Sequence, residues 1–365
     1  MLKPSAALAV CLLWTGLVNP SPAAAQPKVP EISFTSVPDF LTLPDGMNFG
    51  EVSAVAVNSR GHVLVLSRSD ISGPAFGAMA GQILEFDAKG KYLGELAKGL
   101  YNWSFGHGLR VDRDDNIWQV DKGSSTATKL SPKGRVLMVF GRKGEASTTG
   151  SLAPTRAAGA PPPTHVDGYF NQPTDVAWDA AGNTYISDGY VNSRVAKIDK
   201  NGEWVTSWGS FGTGPGQFNN PHNIAVDARG QVYVADRGNA RIQVFDGDGH
   251  FLRQFKIEVP LPKGARLPIG DTPDTPATTG TNAPGSPFVV CITPGPTQYL
   301  FSADNWGRIF KMDLDGRVLG VLGRSGKLLG QFGQIHGMAC PADDEIYVAE
   351  ILNWRVQKLK LGATR

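Results

Sequence analysis

A block of this sequence occurs twice. Phe170-Asn-Gln-Pro-Thr-Asp-Val-Ala-Trp-Asp179-Ala-Ala-Gly182 recurs 48 residues later as Phe218-Asn-Asn-Pro-His-Asn-Ile-Ala-Val-Asp227-Ala-Arg-Gly230. Each copy runs on into an alternating segment, 184–188 or 232–236, then an Asn/Arg turn and a second alternating run ending at Asp199 or Asp246. A glycine turn and a fourth run, such as 204–208, complete the unit. Alternation with period two marks strands, and four short strands joined by glycine turns make one propeller blade. Such a unit cannot bury its apolar faces alone, so copies must pack on one another. Weaker copies at 51–98, 106–141, 287–323 and 334–360 bring the number of blades to six. The last copy holds about three strands, so the stretch 32–43 is expected to supply its outer strand. The fold expected is all-β, a six-bladed β-propeller whose last blade is closed by an N-terminal strand, which removes exposed sheet edges.

Composition agrees with a turn-rich ring. The 44 glycines and 26 prolines are close to a fifth of the 365 residues, against about 12% in average usage. With 41% hydrophobic and 19% charged residues the chain is not disordered. A net charge of +2, from 35 Lys+Arg and 33 Asp+Glu, gives no bulk attraction for nucleic acid or an anionic membrane. Residues 1–25 read as a signal peptide, with Lys3, an apolar run over 6–18 and a cleavage site at Ala23-Ala24-Ala25, so the protein is expected to be secreted or periplasmic. Residues 26–365 then read as a single domain. Pro-, Gly- and Thr-rich stretches at about 143–166 and 259–286 read as loops at the rim or lid of one mouth. Cys291 and Cys340 make either one disulfide or two buried thiols.

Three of the six histidines share one point of the repeat. His107 lies five residues before Asp112, His222 five before Asp227 and His336 five before Pro341, in blades two, four and six. The matching positions elsewhere are Ser53, Thr174 and an apolar residue near Val290. The first strand of a blade lines the central axis. Equivalent positions on alternate blades are related by threefold rotation, so the three imidazoles are expected to meet at the channel mouth. Imidazole suits zinc best among common metals, and three protein ligands leave a fourth position for substrate or water; copper, nickel and iron stay open on ligand type. His62, His165 and His250 fall at glycine turns or in a loop and read as solvated. Arg68 is ten residues past Asn58 and Arg237 ten past Asp227, both just beyond a second strand; blade three has Gly189 there and Tyr190 one step on. All three side chains are expected beside the metal. The recurrent Asp188/Asn192/Arg194, Asp236/Asn239/Arg241 and Glu350/Asn353/Arg355 read as turn-fixing sets, because they repeat from blade to blade.

The segments Trp103-Ser-Phe-Gly-His107-Gly-Leu, Gln172-Pro-Thr-Asp-Val-Ala, Ser187-Asp-Gly-Tyr190-Val-Asn-Ser-Arg194, Gln217-Phe-Asn-Asn-Pro-His222 and Val234-Ala-Asp-Arg237-Gly-Asn-Ala-Arg-Ile-Gln resemble NHL-repeat propellers. More narrowly they are similar to peptidyl-α-hydroxyglycine α-amidating lyase, the lyase half of peptidylglycine α-amidating monooxygenase, over about 51–360. The resemblance implies zinc ligands at His107, His222 and His336 and catalytic roles for Arg68, Tyr190 and Arg237. It also implies a calcium ion in the channel, held partly by the backbone carbonyls of Val55 and Leu109. The acidic residue expected after the third histidine is Gly337 here, which leaves that calcium open. Because the resemblance covers the lyase half alone, it implies a separate hydroxylating enzyme.

The activity implied is cleavage of the N–Cα bond of a peptidyl-α-hydroxyglycine, or a similar α-hydroxy-amide carboxylate, to an amide and glyoxylate. The substrate would be a small molecule or peptide with a C-terminal carboxylate. Two other readings stay open: an exported NHL-repeat binding scaffold whose histidines hold a structural ion, and a metal-dependent hydrolase or lyase acting on another small carboxylate.

Overall fold

The structure is a computed structural model that describes residues 29–69, 81–143, 166–269 and 278–364. The signal-peptide stretch, His165 and the middles of both long loops lie outside the described residues. The described residues form six four-stranded antiparallel sheets, and the molecule is a six-bladed β-propeller. Five sheets take their strands in chain order. The sixth runs Ile32–Ser36, Arg355–Thr364, Glu345–Glu350, Ile335–Ala339, so the N-terminus closes the ring. In the closing pair Phe34 stands opposite Leu361 and Ser36 opposite Leu359. This strand is shorter than the expected 32–43. Beyond it Phe40, Leu41 and Leu43 pack on the apolar cluster between blades one and six, tying the first blade to the last.

The alternating sequence decides where the core sits. A blade is covered on both faces by its neighbours, so second strands such as Ile117–Asp121, Thr184–Asp188 and Val232–Asp236 are buried at every residue. Outer strands such as Val136–Gly141 face solvent on the perimeter. The core is accordingly divided into wedges between adjacent blades; Tyr233 and Val244 of blade four, for example, meet Leu300 and Phe310 of blade five with no exposure. The recurrent acids fix turns. Asp236 accepts the Asn219 backbone N–H at 2.7 Å, the Asn239 amide at 2.8 Å and Arg241 Nε at 2.8 Å, and Glu350 accepts the matching groups of Gly333, Asn353 and Arg355.

The first strands of the blades, Glu51–Val57, Gly106–Val111, Asp175–Trp178, Pro221–Val226, Val289–Ile292 and Ile335–Ala339, contact one another around the axis. They run in one sense, from the near mouth of the channel to the far mouth. Near the far mouth Cys291 and Cys340 are joined in a disulfide between blades five and six, with Cα atoms 6.2 Å apart. Among the described residues no helix is long and apolar enough to cross a membrane.

Candidate metal centre

His107, His222 and His336 stand on the first strands of blades two, four and six, and all three are buried. Their ring centroids are 4.5–4.9 Å apart and their ligand nitrogens lie within 4.8 Å of one another. In each, Nδ1 lies 2.7–2.8 Å from a carbonyl oxygen of the next blade, that of Thr174, Phe288 or Ser53 respectively. A carbonyl only accepts, so Nδ1 carries the ring proton and Nε2 keeps its lone pair for a metal. The blade-five member of this register is therefore Phe288, two residues before Val290. Burial, first of all, holds the imidazoles unprotonated, reinforced by Arg68, Arg237 and one another. It takes His107 and His222 well below the usual 6.5 and His336 to about 3. These neutral nitrogen donors fit an ion such as zinc.

The approach to this layer is set by backbone geometry. Asn220 and Gln334, two residues before their histidines, are in the left-handed region at φ 62° and 57°, where a non-glycine residue costs about 1–2 kcal/mol. Each carbonyl is held by a backbone N–H from just past the second strand: Arg237 to Asn220 at 3.3 Å and Ile351 to Gln334 at 3.1 Å. In blades two and three the same bond runs from Lys122 to Phe105 at 3.0 Å and from Tyr190 to Gln172 at 3.4 Å. Tyr190, rather than Gly189, thus holds the place that Arg237 holds in blade four. Gly189 is an added residue, and a Cβ there would collide with the Pro221 carbonyl oxygen.

The Tyr190 hydroxyl lies 3.2 Å from Nε2 of both His107 and His222. Its loss of solvent opposes ionisation, but the charges of Arg237 and Lys122, a hydrogen bond from Arg237 and the charge of Arg68 outweigh that and lower its pKa. Arg68 is buried; Nε donates to the Gly106 carbonyl at 2.8 Å, Nη1 to Glu51 at 2.9 Å, and the guanidinium lies 3.6 Å from the centroid of the Phe105 ring. Its Nη2 and the Nε of Arg237 have no hydrogen-bond partner among the described residues. Two buried cationic donors therefore remain available to an anion beside the histidines.

All six residues singled out from the repeat come together. The sequence reading missed Lys122, whose ammonium lies 3.5 Å from the Tyr190 ring centroid. Its signal was present, since it is ten residues past Asp112, the spacing that identified Arg68 and Arg237. His62 corrects the reading of solvated histidines: it is half-buried, with Nδ1 2.8 Å from Glu85. His250 is exposed and pairs with Asp246.

The NHL repeat family matches residues 218–245, within blade four. Peptidyl-alpha-hydroxyglycine alpha-amidating lyase 1 of Drosophila melanogaster is 26% identical over 344 residues, covering 86% of this chain and 58% of that protein. Peptidyl-glycine alpha-amidating monooxygenase of Mus musculus is 32% identical over 231 residues, 57% of this chain and 22% of its own length. This chain is an NHL-repeat relative of the amidating lyases. It spans about a fifth of the mouse protein and less than two thirds of the fly protein. Among solved structures, a streptogramin B lyase superposes with a TM-score of 0.54 over 91% of this chain and 98% of its own, at 14% identity, a likeness of fold.

Proposed function

We propose that this relative of the amidating lyases is a zinc-dependent carbon–nitrogen lyase that cleaves a peptidyl-α-hydroxyglycine, or a similar α-hydroxy-amide carboxylate, to an amide and glyoxylate. The observation that carries this reading is the Tyr190 hydroxyl lying 3.2 Å from two of three neutral imidazoles, among three cations. The reaction moves one proton and breaks one bond. The carbinol hydroxyl loses its proton, its oxygen becomes the glyoxylate carbonyl, the N–Cα electron pair leaves with the amide nitrogen, and that nitrogen is protonated. Tyr190 is the base for the first proton, and its lowered pKa suits that role. His107, His222 and His336 would hold the zinc, which when bound supplies Lewis acidity toward the hydroxyl. Arg237 is hydrogen-bonded to Tyr190 and steadies its anion. Arg68, whose buried Nη2 has no partner among the described residues, holds the terminal carboxylate. The substrate would come from a separate hydroxylating activity, and residues 1–25 support an exported protein acting outside the cytoplasm.

The test is glyoxylate release from α-hydroxyhippurate by the purified, metal-analysed protein. Turnover with one zinc per chain is expected, and Tyr190→Phe should lower kcat by about 10²–10⁴-fold while keeping the metal. Release no faster from wild type than from Tyr190→Phe would remove the lyase reading.

A further inference from the structure

The calcium implied by the resemblance meets a different channel here. Val55 and Leu109 stand two residues past the axial Ser53 and His107; Val290 and Met338 stand at the same register, two past Phe288 and His336. This level is taken by a side chain from blade two. Arg110 Nη2 donates to Asp175 Oδ2 at 2.6 Å, to Asn223 Oδ1 at 3.0 Å and to the Val290 carbonyl at 3.2 Å. Its Nε donates to Asp175 Oδ1 at 3.1 Å, and Nη1 lies 3.5 Å from the Met338 carbonyl. One guanidinium therefore joins blade two to blades three, four, five and six.

We infer that Arg110 is the fixed cation of the axial channel, standing where a calcium ion would otherwise tie the blades together. Calcium needs six to eight oxygen ligands. The Asp175 carboxylate, the Asn223 amide oxygen and two of the carbonyls at this level are already engaged by Arg110. The space left beside Val55 and Leu109, between the histidines and Arg110, is about 10 Å³, too little for the ligand waters a calcium would need to complete its shell once Arg110 has taken the oxygens above. The position after the third histidine cannot supply an acidic side chain. A Cβ on Gly337 would lie 2.6 Å from the Ala54 Cα and 2.8 Å from the Ser53 carbonyl oxygen. Asp175, the acid that does stand in this layer, is paired with the planar guanidinium fork of Arg110. Below Arg110 the channel widens to a cavity of about 250 Å³ at the far mouth. Arg110 separates that cavity from the histidines, so a ligand approaches them from the Tyr190 side.

The experiment uses the purified full chain and no substrate, so a failed lyase assay leaves this inference standing. After equilibration with millimolar calcium and desalting, elemental analysis should find no stoichiometric calcium, and neither calcium nor EGTA should move Tm. Arg110→Ser, which strands a buried carboxylate, should lower Tm by roughly 4–7 °C. Should that variant not fold, Arg110→Lys carries the test: it keeps the charge but loses the fork, and its Tm should fall. One calcium retained per wild-type chain, a wild-type Tm lowered by EGTA, or an unchanged Tm in the arginine variants would each overturn the inference.

Discussion

The two mouths of one channel are built from the same six strands and carry opposite kinds of polar group. At the near mouth three imidazoles are held neutral with ligand nitrogens turned together, and buried arginine donors have no partner among the described residues. At the far mouth the polar groups are spent on one another. Arg110 is bonded to four other blades, and a disulfide joins blades five and six. Only two residues along each strand separate the layers. The near mouth also ties adjacent blades, through each histidine Nδ1 and Arg68 Nε, but it keeps other donors and the Nε2 atoms unsatisfied, which is costly for stability but required for binding. Changes at the near mouth should therefore alter activity with little effect on stability, and changes at the far mouth the reverse.

The sharpest way to break this division is at a histidine. His222→Ala should abolish stoichiometric metal binding and glyoxylate release, measured by elemental analysis and turnover, while the far-mouth disulfide stays formed; full activity would end the distinction. Next, Cys291→Ser should destabilise the fold by about 2–4 kcal/mol, read from denaturant unfolding, without changing turnover of the folded fraction. At the near mouth Lys122→Gln should reduce kcat/KM about tenfold, as expected for losing one charged contact, and leave Tm close to wild type. A loss of stability without loss of activity would make Lys122 a structural residue.

The histidine layer also predicts a pH dependence of stability. Burial, reinforced by the charge of Arg68, takes His336 down to about 3 from its ordinary 6.5. As pH falls below 6.5 the unfolded chain takes up the proton and the native state does not. Metal-stripped protein should therefore lose stability between about pH 6.5 and 3, by up to about 1.4 kcal/mol per unit for each such imidazole. A Tm flat from pH 7 to 4 would show that the histidine layer is not held neutral.

Much of the near mouth was legible because a repeat converts sequence offsets into rotations about an axis. Five residues before a turn aspartate located His107 and His222, and ten past Asn58 and Asp227 at the matching turns located Arg68 and Arg237. The same rule pointed to Lys122, which a lysine's usual place on the surface concealed. Tyr190 was legible only as an irregularity, since Gly189 shifts it one residue out of register and a backbone hydrogen bond to Gln172 brings it back. Arg110 gave no signal at all. It is one charged residue near the end of an alternating strand, and its importance depends on what lies across the axis.

The sequence by itself determined the number of blades, their strands and the meeting of three histidines, because period-two alternation and a recurring offset are local properties that ring closure turns into symmetry. Tertiary structure alone decided what breaks that symmetry: the end of the closing strand at Ser36, the pairing of Cys291 with Cys340, and the reach of Arg110 to Asp175, Asn223, Val290 and Met338. Those contacts join residues as much as 323 positions apart, Ser36 with Leu359, and no local pattern encodes a distance across the ring.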